Sequence, residues 1–112
     1  EASKREDLAE SILFVGCGKD EEALKTGIER FRKASLKARK MRMMGSAALG
    51  MAYIACGRLD AYVESRISLW DIAAGKLLVE TAGGKVELTA NSTADTWAIV
   101  ATNGRIPIHE IL

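Results

Sequence analysis

Short apolar runs alternate along the chain with longer stretches in which apolar residues recur at helical spacing. The apolar run at 12–15 ends at a glycine and predicts a buried strand, and a brief strand is predicted at 41–44. Alternation with a period of two predicts strands over 60–67 and 85–89, and a further apolar run predicts a buried strand over 97–101. The pattern therefore predicts five strands.

Helical spacing predicts three helices between these strands. The first begins at an N-cap, Asp20, and runs to about residue 40, with basic residues towards its end, where the helix dipole favours them. The second begins at Gly45-Ser46 and ends near Gly57; because it is apolar on nearly every side, we expect it to be buried. The third helix is predicted over 72–81.

The order of these elements predicts the fold class. Strands that alternate with helices are typical of a layered α/β fold, here with a roughly five-stranded mixed sheet flanked by helices. A polar loop is expected over 91–95, and Pro107 predicts the start of a short final helix. The helix that is apolar all round should pack against the sheet.

Composition and charge narrow the functional classes. The 112 residues suit one domain, and 48% hydrophobic with 28% charged residues excludes an intrinsically disordered chain. The net charge of +1 is not that of a dedicated nucleic-acid binder. The basic stretch from Arg30 to Arg42 has the spacing of the solvated face of a helix, and contact with nucleic acid or a partner is the alternative.

The sequence also gives expectations about membrane insertion, secretion and cellular location. No apolar run approaches the roughly 18 residues that a transmembrane helix needs, and the charged first ten residues have no apolar signal-peptide core. Cys17 and Cys56 lie far apart and outside any C-x-x-C pattern, so neither a zinc site nor a redox motif is predicted. We expect two buried free thiols and a cytoplasmic location.

The candidate chemistry is concentrated between residues 45 and 84. Gly45, Ser46 and Ala47 place small residues at a helix start, where free backbone N–H groups favour oxygen-rich or anionic ligands. Glu64 lies late in a strand, and Asp71 opens the third helix. From spacing alone, Asp71 is better interpreted as a helix cap than as a ligand for a hard cation, and both interpretations stay open.

Other catalytic sets are not indicated. The single histidine, His109, lies near the end of the chain and is expected to be exposed to solvent. The phosphate-binding patterns G-x-x-x-x-G-K-[ST] and G-x-G-x-x-G do not occur. The segment Gly16-Cys17-Gly18 follows a strand but lacks the third glycine, so we interpret it as a simple turn.

The same stretch resembles the inositol monophosphatase family in several blocks that keep the order and spacing of that family. The blocks are R-M-M-G-S-A-A-L at 42–49, A-Y-I-A-C-G-R-L-D-A-Y-V-E at 52–64, L-W-D-I-A-A-G at 69–75 and V-E-T-A-G-G at 79–84, with I-V-A-T-N at 99–103 fitting the last strand. Residues 1–41 match in pattern only. A T-G-F-P-Y-like segment common in the family is replaced here by G-C-G-K-D at 16–20.

The resemblance implies a Mg²⁺-dependent hydrolase of phosphate monoesters of inositol and similar polyols. Asp71 is similar to the metal-binding aspartate of the family. Glu64 is similar to the acid that accepts hydrogen bonds from substrate hydroxyls. Gly45, Ser46 and Ala47 resemble the helix-start segment that contacts the substrate. Inositol phosphate, fructose bisphosphate and nucleotide-derived phosphates all remain open as substrates.

The family's other metal ligands lie in G-D-E-like and D-P-[IL]-D-G-T motifs, and neither occurs here. The resemblance therefore implies that residues 1–112 correspond to the C-terminal domain of such an enzyme, without its N-terminal metal-binding domain, and that the chain alone has little activity. It also implies a homo-oligomer. The alternative is a stand-alone binding or structural module that self-associates or binds a protein partner.

Overall fold

Helices and strands alternate in the computed structural model, which describes residues 1–18, 20–92 and 95–112. The strands are β1 (Ile12–Val15), β2 (Lys40–Arg42), β3 (Ala61–Ser68), β4 (Lys85–Ala90) and β5 (Thr96–Thr102). The helices are α1 (Glu21–Lys37), α2 (Ala47–Ala55) and α3 (Ala73–Thr81), with 3₁₀ turns at Leu8–Glu10, Leu69–Asp71 and Ile108–Ile111. No helix of the described ranges has the length and apolar character that a membrane crossing requires.

The strands form one mixed sheet in the order β2-β1-β3-β5-β4. β1 runs parallel to both β2 and β3, whereas β5 runs antiparallel to β3 and β4. The register between β3 and β5 shifts between Glu64 and Ile67, so β3 carries a bulge late in its length. The predicted α/β class with a five-stranded mixed sheet is therefore confirmed for the described residues.

Apolar residues cover both faces of the sheet because successive strand residues point to opposite sides. On one face, Val15 and Val63 pack with α1 and the C-terminal turn. On the other face, Phe14 and Tyr62 pack with α2 and α3. The molecule is thus a three-layer sandwich with α1 on one side of the sheet and α2 and α3 on the other.

The first helix begins where the sequence predicts and ends earlier. Asp20 caps it by accepting a hydrogen bond from the N–H of Ala23 at 2.9 Å. The helix ends at Lys37 instead of residue 40, and the strand predicted at 41–44 lies at Lys40–Arg42. The reason is tertiary: residues 40–42 pair with β1, starting from Lys40 opposite Ile12.

The prediction that the second helix is buried and packs against the sheet is confirmed on one side of the helix and wrong on the other. α2 buries Gly50, Met51 and Ile54 and leaves Ala48 and Leu49 exposed. The helix lies in an outer layer, so it contacts the sheet and α3 on one side only. An all-round apolar helix in such a layer leaves an apolar outer face.

Three smaller expectations also meet the structure. Cys17 is partly buried and Cys56 is exposed, so the prediction of two buried thiols is wrong for Cys56, which follows the last residue of α2. The short final helix after Pro107 is confirmed as a 3₁₀ turn. The loop predicted over 91–95 includes residues 93 and 94, which lie outside the described residues.

A buried polar network fastens the amino-terminal segment to the sheet. The carboxylate of Asp60 is fully buried; it accepts hydrogen bonds from Arg5 Nε at 2.7 Å and from the N–H of Ile12 at 2.8 Å, and a third from the hydroxyl of Ser3. The side-chain amide of Asn103 donates to the carbonyl of Arg5 at 2.8 Å. This network ties the segment before β1 to the start of β3 and the end of β5.

Candidate functional site

One cleft of about 800 Å³ opens at the carboxyl ends of β1 and β3. Its walls come from the turn after β1, the start of α2, the late part of β3 and the 3₁₀ turn before α3. The five residues that the sequence analysis assigned to substrate or metal binding line it: Gly45, Ser46, Ala47, Glu64 and Asp71. The fold therefore brings together residues that lie up to 26 positions apart in the chain.

The start of α2 forms one wall of the cleft. Ser46 is the N-cap residue, and its hydroxyl accepts a hydrogen bond from the N–H of Leu49 at 3.2 Å. The N–H groups of the first turn of a helix have no partner within the helix, and the helix dipole makes this end positive. This wall is thus suited to bind oxygen atoms of a ligand through the backbone.

Glu64 lies opposite, on β3, and is partly buried. Its Oε1 accepts a hydrogen bond from Tyr62 Oη at 2.5 Å. Burial raises the pKa of the Glu64 carboxyl, and the nearby Asp71 raises it further, whereas the Tyr62 hydrogen bond lowers it. The carboxylate is therefore held in place beside the cleft with acceptor capacity left for a ligand.

Asp71 is exposed and lies in the 3₁₀ turn at the mouth of the cleft. The interpretation of Asp71 as the cap of α3 is wrong, since the N-cap position is Ile72 and no side chain caps this helix. Asp71 is the last residue of the 3₁₀ turn and lies one position before the N-cap. Its Oδ2 instead accepts a hydrogen bond from Ser68 Oγ at 2.7 Å, which leaves the carboxylate available at the cleft.

The side chains of the described residues do not form a complete metal site. Within the described ranges, no group of three or more histidine, cysteine, aspartate or glutamate side chains is arranged to hold an ion. Mg²⁺ prefers octahedral oxygen ligands and usually keeps several waters, so one or two protein carboxylates are enough to anchor it partly. Asp71 fits one such ligand, and a complete protein site needs further donors.

The sequence analysis missed the roles of three residues at the site. Gly16 and Arg66 line the cleft, and Tyr62 is buried beside Glu64. A Cβ on Gly16 would lie 2.7 Å from Glu64 Cδ and closer still to Oε1, so the carboxylate occupies space that only glycine leaves. Tyr62 holds that carboxylate from the same face of β3. Arg66 Nη1 bonds Asp20 Oδ2 at 2.7 Å across the cleft. The period-two spacing of 62 and 64 was the available signal for Tyr62; the other contacts are tertiary.

Two candidates from the sequence lie elsewhere. His109 is exposed, its Nε2 is 3.7 Å from Glu87 Oε2, and neither residue lines the cleft. The basic stretch from Arg30 to Arg42 contributes none of the described residues that line the cleft. Part of this stretch is paired on the surface, as in the contact of Arg32 with Glu29 at 2.7 Å.

The rim of the cleft is apolar and exposed. Trp70 is 95% exposed, and Met43 and Leu69 beside the cleft are exposed as well. Leu77 and Leu78 add exposed apolar surface on α3. Large exposed apolar patches in soluble proteins mark sites of interaction more often than scattered single residues do.

The sequence of the chain is similar to that of a known protein family. The model of the inositol monophosphatase family matches residues 1–110. The inositol-1-monophosphatase of Synechocystis is 38% identical over 109 residues, which are 95% of this chain and 38% of that protein. A Thermotoga maritima protein named fructose-1,6-bisphosphatase/inositol-1-monophosphatase is 42% identical over 81 residues, or 70% of this chain and 30% of that protein.

Solved structures of this family have the same fold as the chain. The inositol monophosphatase of Anabaena superposes with a TM-score of 0.83 at 38% identity, covering 98% of this chain and 44% of that one. The chain spans less than half the length of each of these similar proteins.

Proposed function

The chain belongs to the inositol monophosphatase family, and we propose that it forms the C-terminal domain of a Mg²⁺-dependent phosphatase that hydrolyses monophosphates of inositol or a related polyol. The observation that carries this proposal is the meeting of Gly45, Ser46, Ala47, Glu64 and Asp71 in one cleft. A polyol phosphate has two recognition elements, hydroxyls and a phosphoryl group, and the cleft offers matching partners for both.

Glu64 and the start of α2 are suited to bind the hydroxyls of the polyol. A carboxylate beside the cleft accepts hydrogen bonds from neighbouring hydroxyls, and backbone N–H groups donate to their oxygens. Tyr62 takes part of the acceptor capacity of Glu64 and leaves the rest to the ligand. This arrangement orients the polyol ring relative to the mouth of the cleft, where Asp71 lies.

The phosphoryl chemistry suits a metal ion at Asp71. When bound there, Mg²⁺ would polarise a phosphoryl oxygen and lower the pKa of a bound water. The carboxylate of Asp71, oriented by Ser68, would supply one oxygen ligand. We propose that the other ligands come from the N-terminal metal-binding domain of the same protein, so that this chain alone releases little phosphate.

The test is substitution of Asp71 in the enzyme that carries this chain together with a metal-binding domain. Because groups that merely support a metal ligand change activity by about 10–100-fold, Asp71→Asn should lower Mg²⁺-dependent phosphate release from inositol monophosphate by at least about a hundred-fold. Asp7→Asn is the matched control, since Asp7 is exposed, caps nothing with its side chain and lies outside the cleft. Unchanged activity of the Asp71 variant would contradict the assignment of Asp71 as a metal ligand.

The proposal includes a cytoplasmic, homo-oligomeric protein. Both cysteines are free, which is typical of reducing compartments. The exposed apolar side chains on α3 and at the cleft rim offer surface for a second subunit or for the N-terminal domain. Formation of a disulfide-linked species in the native protein would contradict the location.

A second candidate function is a binding module that self-associates or binds a protein partner. It is favoured by the exposure of Trp70 and of Leu77 and Leu78. Sedimentation of the 112-residue chain at high concentration tests it: concentration-dependent association is expected from an uncovered apolar surface. A monodisperse monomer would count against it.

A further inference from the structure

The carboxylate of Glu64 is confined from two sides by residues that have no assigned role in the chemistry. Tyr62 precedes it by two positions, so both side chains project from the same face of β3. Tyr62 Oη donates to Glu64 Oε1 at 2.5 Å. On another side lies Gly16, where any Cβ would overlap the carboxyl group.

Tyr62 is itself rigidly held. Its side chain is fully buried, and its ring stacks on Phe14 with 4.6 Å between the ring centroids. The Phe14 ring in turn packs against α2 at Gly50, where a Cβ would lie 2.7 Å from Phe14 Cδ2. A continuous stack therefore connects α2, whose first turn forms one wall of the cleft, with the carboxylate on the opposite wall.

The direction of the hydrogen bond is fixed. Burial and the neighbouring Glu64 raise the pKa of Tyr62, so its hydroxyl remains a donor over the physiological range. Glu64 must then accept, and one of its roughly four lone-pair directions is always taken. The remaining directions of the carboxylate are set by the stack.

We propose that Tyr62 and Gly16 are positioning residues that hold the Glu64 carboxylate in the single orientation in which it accepts hydroxyls of the ligand. Tyr62 fixes the carboxylate by its hydrogen bond, and Gly16 leaves the space that this orientation needs. The inference rests on the proposed function for the identity of the ligand, a hydroxyl-bearing phosphate ester, and on geometry alone for the orientation of Glu64.

Two conservative variants and one control separate positioning from general stability. Tyr62→Phe removes only the hydroxyl and keeps the stacked ring, and Gly16→Ala adds only a Cβ. Tyr53→Phe is the matched control: Tyr53 packs against the core cluster that contains Tyr62 and is partly buried, but the hydrogen bond to Glu64 comes from Tyr62. In the enzyme with its metal-binding domain, KM and kcat are measured for inositol monophosphate and for p-nitrophenyl phosphate, which has no hydroxyls.

Tyr62→Phe should raise KM for inositol monophosphate about ten-fold, the effect of losing one hydrogen bond to a charged group. The kcat, the KM for p-nitrophenyl phosphate and both constants of Tyr53→Phe should change little. Gly16→Ala should have the same selective effect as Tyr62→Phe. Equal changes in KM for the two esters, or no change for inositol monophosphate, would overturn the inference.

A second measurement needs no substrate. Three-bond side-chain couplings of Glu64, recorded by NMR on the 112-residue chain, report whether the side chain keeps one rotamer. One rotamer is expected in the unmodified chain and in Tyr53→Phe, averaging in Tyr62→Phe, and a different rotamer in Gly16→Ala. Unchanged couplings would overturn the inference whatever the activity. An unmodified enzyme that cleaves neither ester would instead overturn the proposed function.

Discussion

Asp60 joins three parts of the chain through one buried carboxylate, and its replacement by alanine tests how much that junction stabilises the fold. The carboxylate binds Arg5 Nε through both oxygens, at 2.7 and 2.9 Å, and accepts from the N–H of Ile12 at 2.8 Å. The Ser3 hydroxyl also donates to it. Removing the carboxylate leaves all three donors without their acceptor.

The expected loss follows from how well each donor can regain water. Breaking a buried ion pair costs about 3–5 kcal/mol, but the side chain of Arg5 is 31% exposed and can be partly rehydrated. A buried N–H without an acceptor, here that of Ile12, costs about 1–3 kcal/mol. Together these considerations give a decrease of about 3 kcal/mol in the free energy of unfolding for Asp60→Ala. Asp60→Asn keeps an acceptor for Ile12 and should lose about half as much.

Urea denaturation followed by circular dichroism measures these differences. The control is Glu80→Ala, which removes an exposed pair with Lys76 along α3 and should change stability by at most about 0.5 kcal/mol. A total stability of about 5–15 kcal/mol is usual for a domain, so a 3 kcal/mol loss is readily resolved. A loss for Asp60→Ala no larger than that of the control would refute the reasoning.

Three further predictions concern backbone strain and charge. Gly83 has a φ of +94° with open space around it, so Gly83→Ala should lower the free energy of unfolding by about 1 kcal/mol in urea denaturation, through strain alone. The hydrogen bond from the Ala23 N–H, and then the charge of Arg66, lower the pKa of Asp20. The ionised Asp20 carboxylate therefore stabilises the folded state above its ordinary pKa, and this contribution is lost as pH falls through the lowered pKa. We expect Asp20→Asn to reduce Tm at about pH 7 but not at about pH 2. Burial raises the pKa of Glu64 in the folded state. The protonated carboxyl therefore favours the folded state at low pH, and this contribution is lost as pH rises through the raised pKa. We expect Glu64→Gln to increase Tm at about pH 8 but not at about pH 3. A Tm difference independent of pH would contradict either charge prediction.

Local signals in the sequence predicted what local chemistry decides. The N-cap at Asp20 is confirmed because a short acceptor side chain before an amphipathic stretch satisfies a helix N–H wherever the helix packs. The start of α2 at Ser46 is confirmed for the same reason. The five strands follow from apolar runs and alternation, which report burial on one or both faces of a sheet.

Features that depend on packing were beyond the sequence. The outer face of α2, with Leu49, is apolar although it is exposed, because nothing within the described residues covers it. Asp71 lies close to α3 in sequence but does not cap it, because it ends the preceding 3₁₀ turn and Ile72 takes the N-cap position. The contact between Gly16 and Glu64 joins the turn after β1 to β3, 48 positions further along the chain, and no periodicity along the chain encodes it.

The place of the cleft follows from the topology of the sheet. In the order β2-β1-β3, the chain leaves β1 towards one edge through α1 and returns across β1 through α2 on the opposite face. Connections that depart to opposite sides leave a crevice at the carboxyl ends of the parallel strands, and ligands of open α/β sheets bind in such crevices. The turn after β1 and the start of α2 therefore must border the cleft. Topology sets only the place, so selectivity has to come from side chains inside it. Under the proposed function, the Glu64 carboxylate in the cleft, oriented by the Tyr62 hydroxyl, is the group we expect to distinguish a polyol phosphate from a plain phosphate ester.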